Sequence, residues 1–520
     1  MIFLTTAIDY PNGDPHIGHA YEKVLTDILA RFHRFNGEEV YFLTGVDQHG
    51  QKMVQTAEKK GINVATLATK NTKRFRKLLE ALHISNDGWA ETLDKEHKAC
   101  VSKILTKLHD EGQLYKKQYK GFYSVRQEQF LTDQERDENG NFGPEWGQVE
   151  EREEENWYFK LSEHTTWLRE MIESDAFGIS PAFRKNEVLN AIEKAESTDL
   201  CISRPKERLA WGLPLPFDPD FVTYVWFDAL INYISFAGYL KDEESQLPEF
   251  EKLWPAHSHV IGKDIMVPAH AIYWPCMLHA MGFDKVQLPS LLVHGFWNSK
   301  GEKMSKSLGN SVAPLDLIET VGTDAVRYYL ARDIATGKDS DFDPDRLLVL
   351  FNSEMANGLG NLLNRTLKIT KQLEESPFDN EDCQMVRNSF EKTLATYREL
   401  MPQADLRGTL EALAAFISDV NTFAERLKPW ELRKDESKVA EFNSAVGHMA
   451  ESCVLTALLL SPFLPSSCEK ILTQLKAEHL KDLPLSDLKW GLLENGHQVG
   501  KGKPVFPRLQ KLEITEESPK

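Results

Sequence analysis

The chain has 520 residues, 41% of them apolar, and a net charge of −18, so it is too long for one ordinary core and too acidic to coat nucleic acid by bulk attraction. Its late apolar stretch "VLTALLLSPFLP" is short and broken by proline, and six scattered cysteines without a CxxC pair fit reduced thiols rather than a disulfide framework. No membrane partner is expected, the location is expected to be cytoplasmic, and any nucleic-acid partner must be met through a defined surface.

The opening run "MIFLTTAI" reads as a strand, and "DYPNGDP" punctuates it. Ile17, Ala20, Val24, Leu25, Ile28, Leu29 and Phe32 then recur at helical spacing, and "EEVYFLTGVDQHG" is a second strand ending in a polar cluster. This is a βαβ unit of a parallel sheet, whose ligand crevice lies outside the carboxyl ends of the strands. Residues 1–115 form the first half of a Rossmann-like domain. Residues 116–221 mix aromatic hairpin-like pieces, turns and charge runs, and read as an inserted domain. Strand patterns return at "FVTYVWFDAL", "HSHVIGKDI" and "LPSLLVHGFW", so the sheet resumes over 222–296. A glycine-flanked lysine loop and its flank occupy 297–348, and 349–520 is a helical region with apolar residues every third or fourth place, expected as an antiparallel bundle. The fold class is therefore α/β, with a split catalytic domain followed by an all-α bundle.

Two short motifs carry chemistry. In "PHIGH" the chain leaves a strand and enters a helix, where unpaired N–H groups and the helix dipole make an anion site. Gly18 lets a flat ring or a phosphate approach the backbone, while His16 and His19 supply donors beside it. Alone, these could be ordinary polar residues at a helix start. In "NSKGEKMSKSLGN", Lys303 and Lys306 stand between Gly301 and Gly309, just after the last apolar strand. Two ammonium groups there can meet the charge that grows on a leaving pyrophosphate. A solvated lysine loop is the bland alternative, but it does not explain the location at the end of the same sheet. No Walker A sequence and no GxGxxG after a strand occur. "ERDENGNF" starts on Glu135 and leads to Trp146 where a calcium loop needs its bidentate Glu, so it is no calcium site.

Together "HIGH", "KMSKS" and the helical tail resemble the class I aminoacyl-tRNA synthetases, and over nearly the whole chain, to about residue 500, the methionyl-tRNA synthetase family. The resemblance implies activation of L-methionine by ATP with Mg²⁺, then transfer to tRNA(Met), the initiator included. It assigns His16, His19, Lys303 and Lys306 to catalysis, with Gly18, Gly262 and Asp264 also at ATP. It places Ile8, Tyr10, Trp226, Leu230, Tyr233, Ile265 and His270 around the methionine side chain and Asp47 at its ammonium group. Between Lys263 and His270 this chain carries one residue more than the family's spacing, which leaves open whether Ile265 or Met266 faces the substrate. Asn361, Arg365 and Trp430 fall where the family reads the CAU anticodon. Many relatives hold zinc on CxxC pairs in the insertion. Here Ser124, Gln127, Gly143 and Trp146 stand in those places, so no structural zinc is expected and packing of Tyr123, Phe130 and Trp146 is expected to hold the knuckle. No further oligonucleotide-binding domain of the sort some relatives append is expected, and the resemblance implies a monomer with no DNA partner. Synthetases for Leu, Ile or Val resemble this chain but need a large editing domain, for which the insertion leaves little room. A non-catalytic tRNA-binding descendant would not need both motifs intact, and a smaller adenylyltransferase would not need the helical tail.

Overall fold

The computed structural model describes residues 1–124, 129–131, 135–137, 139–195, 198–299, 301–304 and 312–510, with the backbone alone at 119, 129, 130, 145, 194, 302 and 303. It divides into two compact units, residues 1–14, 41–76 and 86–293 in one, and 15–40, 77–85 and 294–520 in the other.

The first unit is built on a six-stranded sheet of β1 (Ile2–Asp9), β2 (Val40–Val46), β3 (Gly88–Glu91), β4 (Ile179–Ser180), β5 (Ser258–Gly262) and β6 (Leu291–His294) in the order β3-β2-β1-β5-β6-β4. The pairs β1/β5, β2/β3 and β6/β4 are parallel. Phe3, Leu4, Thr5, Thr6 and Ala7 are all buried, a continuous run instead of an alternation, because a central parallel strand is covered on both faces. Gly45 permits the tight β2/β3 approach: a Cβ there would lie 2.2 Å from the Ala90 carbonyl oxygen. The chain runs outward from β1 to β2 and β3 on one side and returns with β5 on the other. The switch point is therefore between β1 and β5, and Tyr10 and Gly262–Asp264 stand at its carboxyl edge.

The stretch 116–221 carries an antiparallel four-stranded sheet, in which Leu114–Ser124 pairs along its whole length with Val149–Phe159, and a smaller three-stranded one. It also contains β4, so the chain returns to the main sheet inside the expected insertion.

In the second unit helix α1 (Ile17–Phe35) joins the C-terminal helices. Arg327, fully buried, ties it there: its guanidinium pairs with Asp27 of α1 at 2.7 Å and donates to the carbonyls of Leu82, Pro462 and Phe463 at 2.8–3.0 Å. Burial pushes the Asp27 carboxyl up, but Arg327 and Arg31 outweigh it and hold it low. The bundle itself is led by Glu381–Leu400, Leu406–Leu427, Val439–Leu460 and Pro465–Leu475. Val439–Leu460 is buried almost without interruption from Ser444 onward, which is why its sequence is apolar all round. Among the described residues no helix is long and apolar enough to cross a membrane.

Candidate active site

The start of α1 is a capping box made of two histidines. The Gly18 N–H donates to His16 Nδ1 at 3.1 Å, and the His16 N–H donates to His19 Nδ1 at 3.0 Å. Two of the helix's orphan donors are thereby satisfied reciprocally. Because each Nδ1 accepts, each neutral ring carries its proton on Nε2, the form that can donate to an anion. The rings stack at 3.7 Å. Gly18 also leaves room locally: a Cβ would lie 3.0 Å from the His16 ring. The next donor, Ile17 N–H, goes to the Val312 carbonyl at 3.2 Å. That carbonyl follows directly on the lysine loop, so the segments carrying the two motifs meet in the backbone. Lys303 lies at the end of a short hairpin, Trp297–Ser299 with Glu302–Lys303, its side chain outside the described residues, as is the whole of Lys306.

In the first unit the residues assigned to methionine gather around two hydrogen-bonded strings. His270 Nδ1 lies 2.8 Å from the Ile265 carbonyl and its Nε2 lies 2.8 Å from Tyr233 Oη. A carbonyl only accepts, so in its neutral form the ring donates from Nδ1 and accepts the Tyr233 hydroxyl proton on Nε2. Trp226 meets the same ring edge-on at 6.2 Å. Behind them Tyr233 stacks on His259 at 4.0 Å, and burial holds His259 far below its ordinary pKa and hence neutral, with Thr5 and Trp274 on its two nitrogens. Ile8 and Leu230 pack in the same apolar core. Ile265 is half-buried whereas Met266 is wholly inside the core. The stretch Met266–Tyr273 is kinked at Val267, whose φ of −112° and ψ of 130° are not helical, and His270 follows beyond the kink. Gly262 ends β5, and Asp264 is exposed two residues later.

The second string contains residues that the sequence reading missed. Asp47, buried, takes the His49 N–H at 3.2 Å and the Thr92 hydroxyl at 3.4 Å on Oδ1. His49 Nδ1 is 2.5 Å from Asp228 Oδ2, and His97 Nε2 is 3.2 Å from Asp228 Oδ1. Burial pushes the Asp228 carboxyl up, but the His49 charge and the bonds from both histidines outweigh it and hold it well below the carboxylate range. Burial likewise pushes His49 down, and the Asp228 carboxylate more than reverses this. His49 and Asp228 stand inside "EEVYFLTGVDQHG" and "FVTYVWFDAL", so two further titratable groups beside assigned ones were the available signal. Gly50, at φ +98°, closes the turn against Tyr10: a Cβ would lie 2.4 Å from Tyr10 Oη.

At the insertion, Ser124 Oγ donates to the Trp146 carbonyl at 2.6 Å, Gly143 precedes the turn Pro144–Trp146, and Gln127 lies outside the described residues, as does the side chain of Phe130. Tyr123 is buried as expected, but among arginines: Arg152, Arg204 and Arg208 stand 4.7, 5.7 and 4.2 Å from its ring. Arg136 stacks on both Phe122 and Phe142 at 4.5 and 4.3 Å. Among the described residues no group of three or more His, Cys, Asp or Glu could hold a metal ion. In the bundle, Arg365 lies over the Trp430 ring at 5.0 Å and pairs with Glu425, while Asn361 begins the same helix one turn earlier.

A parallel sheet carrying "HIGH" after its first strand and "KMSKS" after its last, with a helical C-terminal part, defines a class I aminoacyl-tRNA synthetase. Residues 2–139 and 146–367 match the family model for tRNA synthetases class I (M), and residues 375–518 match the anticodon binding domain of methionyl tRNA ligase. The methionine–tRNA ligase of Rhizobium meliloti is 40% identical over 97% of this chain and 98% of its own length, and that of Bacillus subtilis is 38% identical over 98% of this chain and 78% of its own. The structure of Mycobacterium tuberculosis methionyl-tRNA synthetase in complex with methionyl-adenylate superposes with a TM-score of 0.89 at 35% identity, covering 98% of this chain and 99% of that one. The chain belongs to the methionyl-tRNA synthetase family: it activates methionine with ATP to methionyl-adenylate and transfers the methionyl group to tRNA.

Proposed function

We propose a division of labour for this reaction among the residues above. The methionine carboxylate attacks the α-phosphorus of ATP, the bond to pyrophosphate breaks, and the terminal adenosine of tRNA then takes the acyl group from the adenylate. No covalent enzyme intermediate is needed, so catalysis is positioning and charge stabilisation. His16 and His19 donate from Nε2 to the phosphates, with Gly18 at the adenine side, and Gly262 and Asp264 hold the ribose. Lys303 and Lys306 meet the charge on departing pyrophosphate, with Mg²⁺ accompanying ATP. Asp47 receives the ammonium group. Ile8, Tyr10, Trp226, Leu230, Tyr233 and His270 enclose the thioether, which gains about 0.3–1.5 kcal/mol per aromatic contact, and Ile265, with surface still exposed, joins them rather than Met266. The observation that carries the catalytic part is the Ile17 N–H to Val312 carbonyl bond, which supports both motifs acting on one triphosphate.

Asn361, Arg365 and Trp430 read the anticodon of tRNA(Met), initiator included, the enzyme acting as a cytoplasmic monomer without structural zinc. The test is methionine-dependent ATP–pyrophosphate exchange beside tRNA charging. Trp430→Ala is expected to lower kcat/KM for tRNA by roughly five- to hundred-fold, the loss of one stacked base at ~1–3 kcal/mol, with exchange unchanged. Equal charging by Trp430→Ala and the native chain would remove the anticodon assignment, and one tightly held zinc per chain by elemental analysis would remove the metal-free insertion.

A further inference from the structure

The turn 47–50 leaves β2 with each residue fastened to a different partner. Asp47 N–H is bonded to the Asp9 carbonyl at 2.8 Å, and the Gln48 carbonyl accepts from Trp211 Nε1 at 2.7 Å. Gly50 leaves no room for a side chain: a Cβ there would lie 2.4 Å from Tyr10 Oη and 3.3 Å from Val225 Cγ2. The charged fastening is between His49 and Asp228, 179 residues apart in the chain. Asp228 sits on α2 (Val225–Leu230), two residues from Trp226 and two from Leu230, and is 1% exposed. Both of its oxygens are used, one by His49 and one by His97. A carboxylate only accepts, so His97 donates from Nε2, and its Nδ1 lies 2.7 Å from Ser235 Oγ. Ser235 belongs to the short helix Asn232–Ser235, which also bears Tyr233.

An amino acid presents its ammonium group and its side-chain tip at a separation fixed by its own bonds. The elements that meet those two ends here are far apart in sequence, and a displacement of about 1 Å can cost on the order of 10²-fold. Apolar residues of similar volume would stabilise this interior as well as a buried ion pair does. What the pair adds is direction: two hydrogen bonds that hold the turn and α2 in one relation.

We propose that Asp228 is a positioning residue for methionine, clamped between His49 and His97 so that the Asp47 carboxylate and the α2 side chains Trp226 and Leu230 are held at the spacing the substrate requires. This rests on the assignment of Asp47 and Trp226 to methionine made above. Asp228 does not touch the substrate.

The experiment is pyrophosphate exchange on the full chain, with KM for methionine and for ATP measured separately, for Asp228→Asn, Asp47→Asn and the double variant, alongside Tm. Expected for Asp228→Asn is a rise in KM for methionine of about ten- to hundred-fold, with KM for ATP within about two-fold. Because Asp228 acts through Asp47, the double variant is expected to be no worse for methionine than Asp47→Asn. The milder His49→Asn keeps a donor toward Asp228 and loses the charge. It is expected to give the same split at about three- to ten-fold, and it carries the test should Asp228→Asn not yield folded enzyme. Equal rises in both KM values, or effects that multiply fully in the double variant, would overturn the proposal. A methionine KM that moves in Asp47→Asn but not in Asp228→Asn removes the positioning role alone. A methionine KM that Asp47→Asn leaves unmoved removes the Asp47 assignment and the proposal with it.

Discussion

The two ends proposed for this enzyme, one for phosphate and one for methionine, are built in opposite ways. At the phosphate end, residues 16–19 and the carbonyl of Val312 use backbone groups and two histidines three apart on one helix turn. At the methionine end, His49, His97 and Asp228 form a fully buried network between side chains more than a hundred residues apart. The difference follows the chemistry. A triphosphate is met by any well-aimed set of N–H donors. With the backbone N–H groups of residues 16–18 taken up by the two Nδ1 atoms and by Val312, the two Nε2–H groups of one helix turn can supply them locally. Choosing one side chain among twenty needs a fixed cavity, and such a cavity is assembled from several elements at once.

If the two ends are as separable as this, substitutions should split cleanly between rate and methionine affinity. Lys306→Ala is expected to lower the rate of activation by about 10² to 10³, as for loss of one preorganised donor, with the methionine KM little changed. An unchanged exchange rate would remove this lysine from the mechanism. Gly50→Ala strikes the other end, forcing a positive φ and a contact on Tyr10. A strain of about 1–3 kcal/mol released into the pocket should raise the methionine KM by roughly ten-fold or more and leave ATP alone. Gly18→Ala crowds only the His16 ring, which can shift by a few tenths of an ångström. A fall in kcat of up to about ten-fold is expected there, seen in single-turnover adenylate formation with unaltered methionine binding.

The smallest effect is in stability against pH. His49 is raised by Asp228, so its contribution is full below the ordinary histidine value of about 6.5 and is lost as pH rises through the raised folded value. Asp228 is depressed, so its contribution is present above about 3.9 and is lost as pH falls through the depressed value. The Tm gap between the native chain and His49→Asn should therefore be widest between about pH 4 and 6.5 and narrow as pH rises through the raised His49 value. A gap that widens with alkali would contradict the ion pair.

The same contrast explains what could be read before the structure. His16, Gly18 and His19 act within one turn, so their spacing announced them, and the strand runs of β1 and β5 announced the sheet. Which of Ile265 and Met266 is the more exposed could not be read from spacing, because it depends on the kink at Val267 and on the packing around it. The role of Asp228 was illegible because no local pattern links it to His49. β4 is two residues long and shows no periodicity to detect. Tyr123 was legible as buried, but its arginine neighbours come from distant segments, and an aromatic in sequence names no partner.

The most direct measurement is a crystal structure of this chain with methionine and a non-hydrolysable ATP analogue. His16 and His19 Nε2 and the Lys306 ammonium group should all lie within hydrogen-bond reach of one triphosphate, and Asp47 should lie on the methionine ammonium group. A triphosphate bound without either histidine, or with Lys306 directed away from it, would contradict the joint action of the two motifs.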